Sequence, residues 1–288
     1  MYLNCPQRWK RDYIDKKRLF SDSIHTVFGT ALHRTIQHYL SVMFEDSVKK
    51  ADALDLSKYL RDSLVEEYQK SLLKNKGVHF STPNELTEFW EAGVEIIKFF
   101  KRKRSGFFST KHHELLGIEI PVKFELSPGI EMVMYIDFGV RDKRDGRVTF
   151  FDIKTSGRGW SKDQKGDLTK TAQLILYKMY GASAVNASVE DVDVMYLIGR
   201  RVINEDAEFK PKRIQTFAPA SGKGNQRKVK AMLDRFVSEA FDGEGNYNTD
   251  REYPAIQNSL CRFCPYDRDG SCAMGSRTFE TNGKANRN

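Results

Sequence analysis

No apolar stretch in the 288-residue chain approaches the roughly 20 residues a helix needs to cross a bilayer, which argues against a helical membrane protein. The opening residues, MYLNCPQRWK, lack the apolar core of a secretory signal, and this predicts a cytoplasmic chain. The phosphate loop G-x-x-x-x-G-K-[ST] occurs nowhere, since SGKGNQRK does not supply it. An in-built ATPase or helicase is therefore not expected, and any unwinding would fall to a partner. Internal repeats are missing, and the only low-complexity segment is the polar tail. Cysteine is scarce. Four in a chain of this size do not make a cytosolic disulfide framework.

What is present suits a globular protein, with 40% hydrophobic and 12% aromatic residues. The formal charge of +8 favours polyanionic partners. Nine of these cations (Arg200, Arg201, Lys210, Lys212, Arg213, Lys223, Arg227, Lys228 and Lys230) stand against three acids in the same run. A second cluster, KRKR at 101–104, ends an amphipathic stretch. Each run reads either as a solvated face or helix end, or as a nucleic-acid footprint in which Lys228 and Lys230 take part.

Periodicity changes along the chain. Residues 27–44, 57–73 and 86–104 carry a helical repeat of apolar positions. GIEIPVKFEL (117–126), EMVMYIDFGV (131–140) and RVTFFDIKT (147–155) read as strands, joined by the turns SPG and RDGR into a meander. A helix at 168–181, ended by Gly181 as a C-cap, precedes a fourth strand at 192–199 and a helix at 226–242. The expected organisation is one domain over 1–274 with a helical insertion at 45–115. A disordered tail is expected at 275–288.

Alternation along a strand puts Asp152 and Lys154 of VTFFDIKTSGRG on one face, just before a pair of glycines. A strand-edge ion pair is the plain reading of D-x-K. The other reading adds Asp137 of MYIDFGV on the neighbouring strand. Two carboxylates at one sheet edge would offer hard oxygen ligands to Mg²⁺ or Mn²⁺, and Lys154 would sit beside an attacked phosphate. Gln173 and Tyr177 lie four apart on the helix that follows. His33 sits in GTALH on the first helix, after a glycine that permits close approach, although a lone helical histidine is more often packed in a core. Glu119 in GIEIP reads equally as an exposed strand residue and stays outside the candidate set.

The cysteines fall as Cys5 and then Cys261, Cys264 and Cys272 in CRFCPYDRDGSC, a spacing suited to metal ligation. Four thiolates suit tetrahedral zinc or an iron–sulfur cluster, and spacing alone favours zinc.

The ordered set GTALH, YIDF, FDIKTS and QLILY resembles the RecB-like branch of the PD-(D/E)XK nucleases. That branch includes AddB and the CRISPR-associated iron–sulfur exonucleases. The resemblance covers nearly the whole chain. It implies an α/β restriction-endonuclease-like core, a central mixed sheet flanked by helices. It also implies that His33, Asp137 and Asp152 bind Mg²⁺ or Mn²⁺, that Lys154 is catalytic, and that Gln173 and Tyr177 hold DNA near the site. For the cysteines it reverses the preference: a 4Fe–4S cluster on Cys5, Cys261, Cys264 and Cys272, with zinc as the alternative, stapling residue 5 to 261–272. Cys5 lies so near Met1 that the family's usual lead-in before this cysteine is missing, a departure from the pattern.

The implied activity is a metal-dependent DNA nuclease, an exonuclease acting on free or single-stranded ends in recombination, repair or replication-linked processing, with a helicase or recombination partner and no membrane. The alternative is a non-catalytic DNA-binding or scaffold subunit that keeps the fold and the four-cysteine site. An intact His33–Asp137–Asp152–Lys154 set argues against it. A zinc-stabilised RNA-binding protein would leave the acid–lysine pattern unexplained.

Overall fold

A computed structural model describes residues 1–204, 206–272 and 274, so the tail expected at 275–288 lies outside the described residues. The chain divides into two compact units, one built from 22–124 and 132–229, the other from 1–21, 125–131 and the chain from Lys230 onward.

The larger unit begins with helix α2 (Ile24–Glu45), which follows the short α1 (Pro6–Tyr13) of the smaller unit. Phe28, Ala31, Leu32, Ile36, Tyr39, Leu40 and Met43 recur at helical spacing, and all are buried. Between α2 and the sheet lie three helices, α3 (Val48–Ala53), α4 (Leu56–Lys74) and α5 (Pro83–Lys103). Asp55 and Thr82 cap α4 and α5 by accepting the backbone N–H of Lys58 and Glu85. Two of the KRKR cations are committed within this region. Arg104 pairs with Asp52 at 2.8 Å, and Lys101 donates to the Asp52 carbonyl oxygen.

The meander is as expected: β1 (His113–Ser127), β2 (Ile130–Asp142) and β3 (Val148–Ser156). Helix α6 (Lys162–Gly166) and helix α7 (Leu168–Gly181) connect β3 to β4 (Val192–Arg200). A strand not anticipated from the sequence, β5 (Ile214–Phe217), pairs antiparallel with β4 inside the basic run. The sheet order is β1-β2-β3-β4-β5, with β2–β3 antiparallel and β3–β4 parallel. Parallel neighbours need a covered crossover, and α6–α7 supplies it. Helix α8 (Lys223–Ala240) follows, and the short α9 (Pro265–Arg268) closes the described elements.

Each face of the sheet has its own core. Phe138, Val140, Phe151, Ile153 and Leu197 pack against α2 and the three helices after it. Val148, Phe150, Val194, Tyr196 and Ile198 pack against Leu174 and Tyr177 of α7. Gly181 is not a left-handed cap, because α7 ends in Ala182 with right-handed geometry. Its role is steric: a Cβ there would come within 2.6 Å of Ile136 Cδ1 and 3.0 Å of the Phe150 ring. Gly29 departs from expectation in the other direction. A methyl group there would meet Thr155 Oγ1 at an ordinary 3.6 Å.

Candidate active site

Regular β2–β3 pairing runs as far as Phe138–Phe151, and the next residues on both strands are the two acids. Ile136 belongs to the α7-side core and Phe138 to the α2-side core, so side-chain alternation along β2 breaks at Asp137. In place of a strand carbonyl, the Asp137 carboxylate accepts the Ile153 backbone N–H, with Oδ2 at 2.6 Å. One side chain thereby ties both strands where the ladder gives out.

Asp152 sits one step along β3, fully buried. Neither of its carboxylate oxygens has a hydrogen-bond partner of good geometry among the described residues. Lys154 Nζ lies 2.8 Å from Oδ2, close enough for an ion pair, on the shared face expected from alternation. The lysine also donates to Gln173 Oε1 at 2.9 Å. Gln173 Nε2 donates to the Tyr177 hydroxyl at 2.7 Å, which donates to the Tyr135 carbonyl at 2.6 Å. Tyr177 is only 2% exposed. The two α7 residues therefore form a brace that ends on the lysine, and Tyr177 reaches it from within the core.

His33 enters from α2, its Nδ1 3.4 Å from Asp137 Oδ2. Two further residues join that were not in the expected set. Gln37, one turn beyond His33, donates from Nε2 to both Glu119 Oε1 and the Asp137 carbonyl. Its i+4 spacing from His33 was the available signal. Glu119 sits in β1 with φ +49, an uncommon backbone state for a non-glycine residue, and its exposed carboxylate lies at the edge of the group. Lys228 and Lys230 are exposed on α8, where Lys230 closes an ion pair with Asp234 at 2.7 Å.

Burial sets the electrostatics. It pushes both Asp137 and Asp152 up to about 6, against the pull of the Ile153 N–H on Asp137 and of Lys154 on both. Burial lowers His33, with the Asp152 charge opposing, so its imidazole is neutral at pH 7 with a lone pair to offer. Among the described residues no three His, Cys, Asp or Glu side chains are disposed as a ready metal site. The donor set nevertheless suits a hard divalent cation: two buried carboxyls, one of them with only the Lys154 ammonium against its oxygens, beside a neutral imidazole.

The smaller unit holds the cysteines, all four of them free thiols. Together with Asn4, Arg8, Asn258 and Asp267 they line a cavity of about 150 Å³. Cys261 accepts the Asn258 N–H at 3.4 Å. Arg8 presents a buried Nε with no hydrogen-bond partner. Other bonds also join the two chain ends here: Tyr266 donates to Asp12, and Asn258 Nδ2 to the Asn4 carbonyl.

The group thus consists of buried acids on neighbouring strands of a mixed α/β sheet, a lysine beside one of them, and helices over both faces. Residues 1–268 match the PD-(D/E)XK nuclease superfamily, and the chain belongs to that superfamily. The match does not reach the narrower RecB-like branch, and no curated protein matches. Among solved structures, one titled "Crystal structure of SSO0001" is similar over 92% of this chain and 93% of its own, at 11% identity and a TM-score of 0.34.

Proposed function

We propose that the chain is a RecB-like, divalent-metal-dependent DNA exonuclease, with Asp137, Asp152 and His33 holding Mg²⁺ or Mn²⁺. The observation that carries this is Asp152, a fully buried carboxyl with both oxygens lacking hydrogen bonds beside a lysine. A carboxylate in that state costs stability unless a cation completes it. When bound, the ion would lower the pKa of a water and offset charge on a phosphodiester. Lys154, aimed by Asp152 and Gln173, holds a positive charge and a proton donor beside the attacked phosphate. Gln173 and Tyr177 act here as positioning residues for Lys154, in addition to any hold on DNA. Glu119 and Gln37 orient the Asp137 side of the site.

The four thiols, drawn from both ends of the chain, line one cavity, which suits a four-thiolate site. The resemblance to the RecB-like branch is what favours a structural 4Fe–4S cluster over zinc in this reading. The biological setting proposed is end processing in recombination, repair or replication, alongside a helicase.

Digestion of end-labelled linear and circular DNA, single- and double-stranded, with Mg²⁺ or Mn²⁺ tests the activity. The expected result is degradation that depends on a free end and is lost at least 100-fold in Asp137→Ala, Asp152→Ala and Lys154→Ala. Wild-type rates in those folded variants would refute the site. Cleavage of circles would refute the exonuclease mode alone.

A further inference from the structure

The catalytic reading leaves two features unused: the SGRG loop that follows Lys154, and the arginines that open the basic run. In the structure they meet. Strand β4 runs parallel to β3 with Ser156 opposite Arg200, and β4 continues alongside the loop. Arg201 donates its backbone N–H to the Ser156 carbonyl, and Val202 to that of Gly157. Arg200 is thus two residues, about 7 Å by strand rise, beyond the position paired with Lys154.

The two arginines leave opposite faces of the sheet. Arg200 turns toward Gly159, whose φ of +94 and lack of a Cβ admit it: an added Cβ would stand 2.5 Å from Arg200 Nε. That Nε is buried and has no hydrogen-bond partner. Arg201 lies over the Phe89 ring at 3.9 Å and beside His25 Nδ1. Arg158, between the two glycines, is exposed. Among the described residues none of these three guanidiniums has a carboxylate within ion-pair distance. Burial lowers both Arg200 and Arg201, with the Glu85 charge opposing it at Arg201.

Past these arginines the β4–β5 hairpin projects a large aromatic side chain. Phe209 is 84% exposed, the highest value for a large apolar residue among the described residues, and it is followed by Lys210 and Lys212. An aromatic ring held in water among cations has one evident use in a nucleic-acid enzyme: every base offers a face to stack on it, whatever the sequence.

We propose that the β4–β5 hairpin and the SGRG loop form a grip for a single strand of DNA, with Arg158, Arg200 and Arg201 as its phosphate-binding cations and Phe209 stacked on an unpaired base. This rests on the nuclease reading and adds to it a subsite separate from the metal-binding acids. A duplex has no unpaired base for the ring, so the grip discriminates in favour of single strands or frayed ends.

Binding of fluorescent single-stranded and duplex oligonucleotides, measured in EDTA over a salt series, tests it without cleavage. Phe209→Ala, at a surface position that leaves the core intact, should weaken single-strand binding roughly 5- to 100-fold. Duplex binding and the salt slope should not move, and Phe209→Trp should restore affinity. Arg200→Gln with Arg201→Gln should weaken both substrates and lower the salt slope by about one for each phosphate no longer neutralised. Unchanged single-strand binding in Phe209→Ala, or an equal loss on duplex, overturns the base-stacking half. An unchanged slope in a folded double-arginine variant overturns the phosphate half. Wild-type protein that binds DNA but never cleaves it would sink the nuclease reading and leave the grip standing. Absence of any binding would sink both.

Discussion

Asp152 puts a carboxyl group where water does not reach, with Lys154 as its one ion-pair partner among the described residues and the Asp137 charge raising it further. Burial raises it from 3.8 to about 6. A raised acid contributes to stability while it is protonated, below the unfolded value, and that contribution is lost as pH rises from about 4 through about 6. Above that window the charged group destabilises the metal-free fold. Asp152→Asn should therefore stabilise the metal-free chain at pH 8 by on the order of 1–3 kcal/mol, and much less at pH 5. Urea unfolding in EDTA at the two pH values measures this, and an equal effect at both would contradict it. Activity should fall in the same variant, a trade common at functional sites. Lys154→Ala works in the opposite direction, since it leaves the Asp152 charge with no partner and should destabilise the fold at pH 8. At this scale Asp152 and Lys154 were legible from the period of two. Glu119 was not, because its position depends on a left-handed φ that no spacing rule reveals.

At the scale of elements, α7 is pressed so closely on the sheet that side-chain volume decides its fit. Gly181→Ala should cost about 1–3 kcal/mol, because its methyl would collide with Ile136 and the Phe150 ring. Gly29→Ala in α2 meets only an ordinary contact, so helix propensity should leave it neutral or up to about 1 kcal/mol more stable. Thermal melts of the two variants should move in opposite senses, and matching shifts would defeat this account of the packing. Tyr177→Phe removes the hydroxyl that links Gln173 to the Tyr135 carbonyl. It should cost about 1–3 kcal/mol and lower turnover less than the loss of Lys154 does. The strand β5 escaped the sequence reading because four residues inside a basic run carry too little pattern to stand out.

At the scale of the whole molecule, the smaller unit joins chain segments some 250 residues apart around the four cysteines. Protein purified without air should be brown and carry about four irons. Cys264→Ser should bleach it and make the segments 1–21 and 230–274 the first to be cut in limited proteolysis, because ligand binding energy at such a site is also folding energy. Stoichiometric zinc and no iron would remove the cluster and leave the nuclease site untouched. The existing bonds between these ends, such as Tyr266 to Asp12, set how much order survives the loss.

The sequence by itself determined the long helices, the meander, the fourth strand, and the shared face of Asp152 and Lys154. These follow from local periodicity and from spacing within one element. Only the tertiary structure decided that alternation breaks at Asp137, that Gln37 bridges to Glu119, that Tyr177 is a buried brace, and that Gly159 makes room for Arg200. Each of those is a contact between segments distant in sequence. Its physical cause is the burial of a polar group or the close approach of two backbones, and no single stretch of residues encodes either.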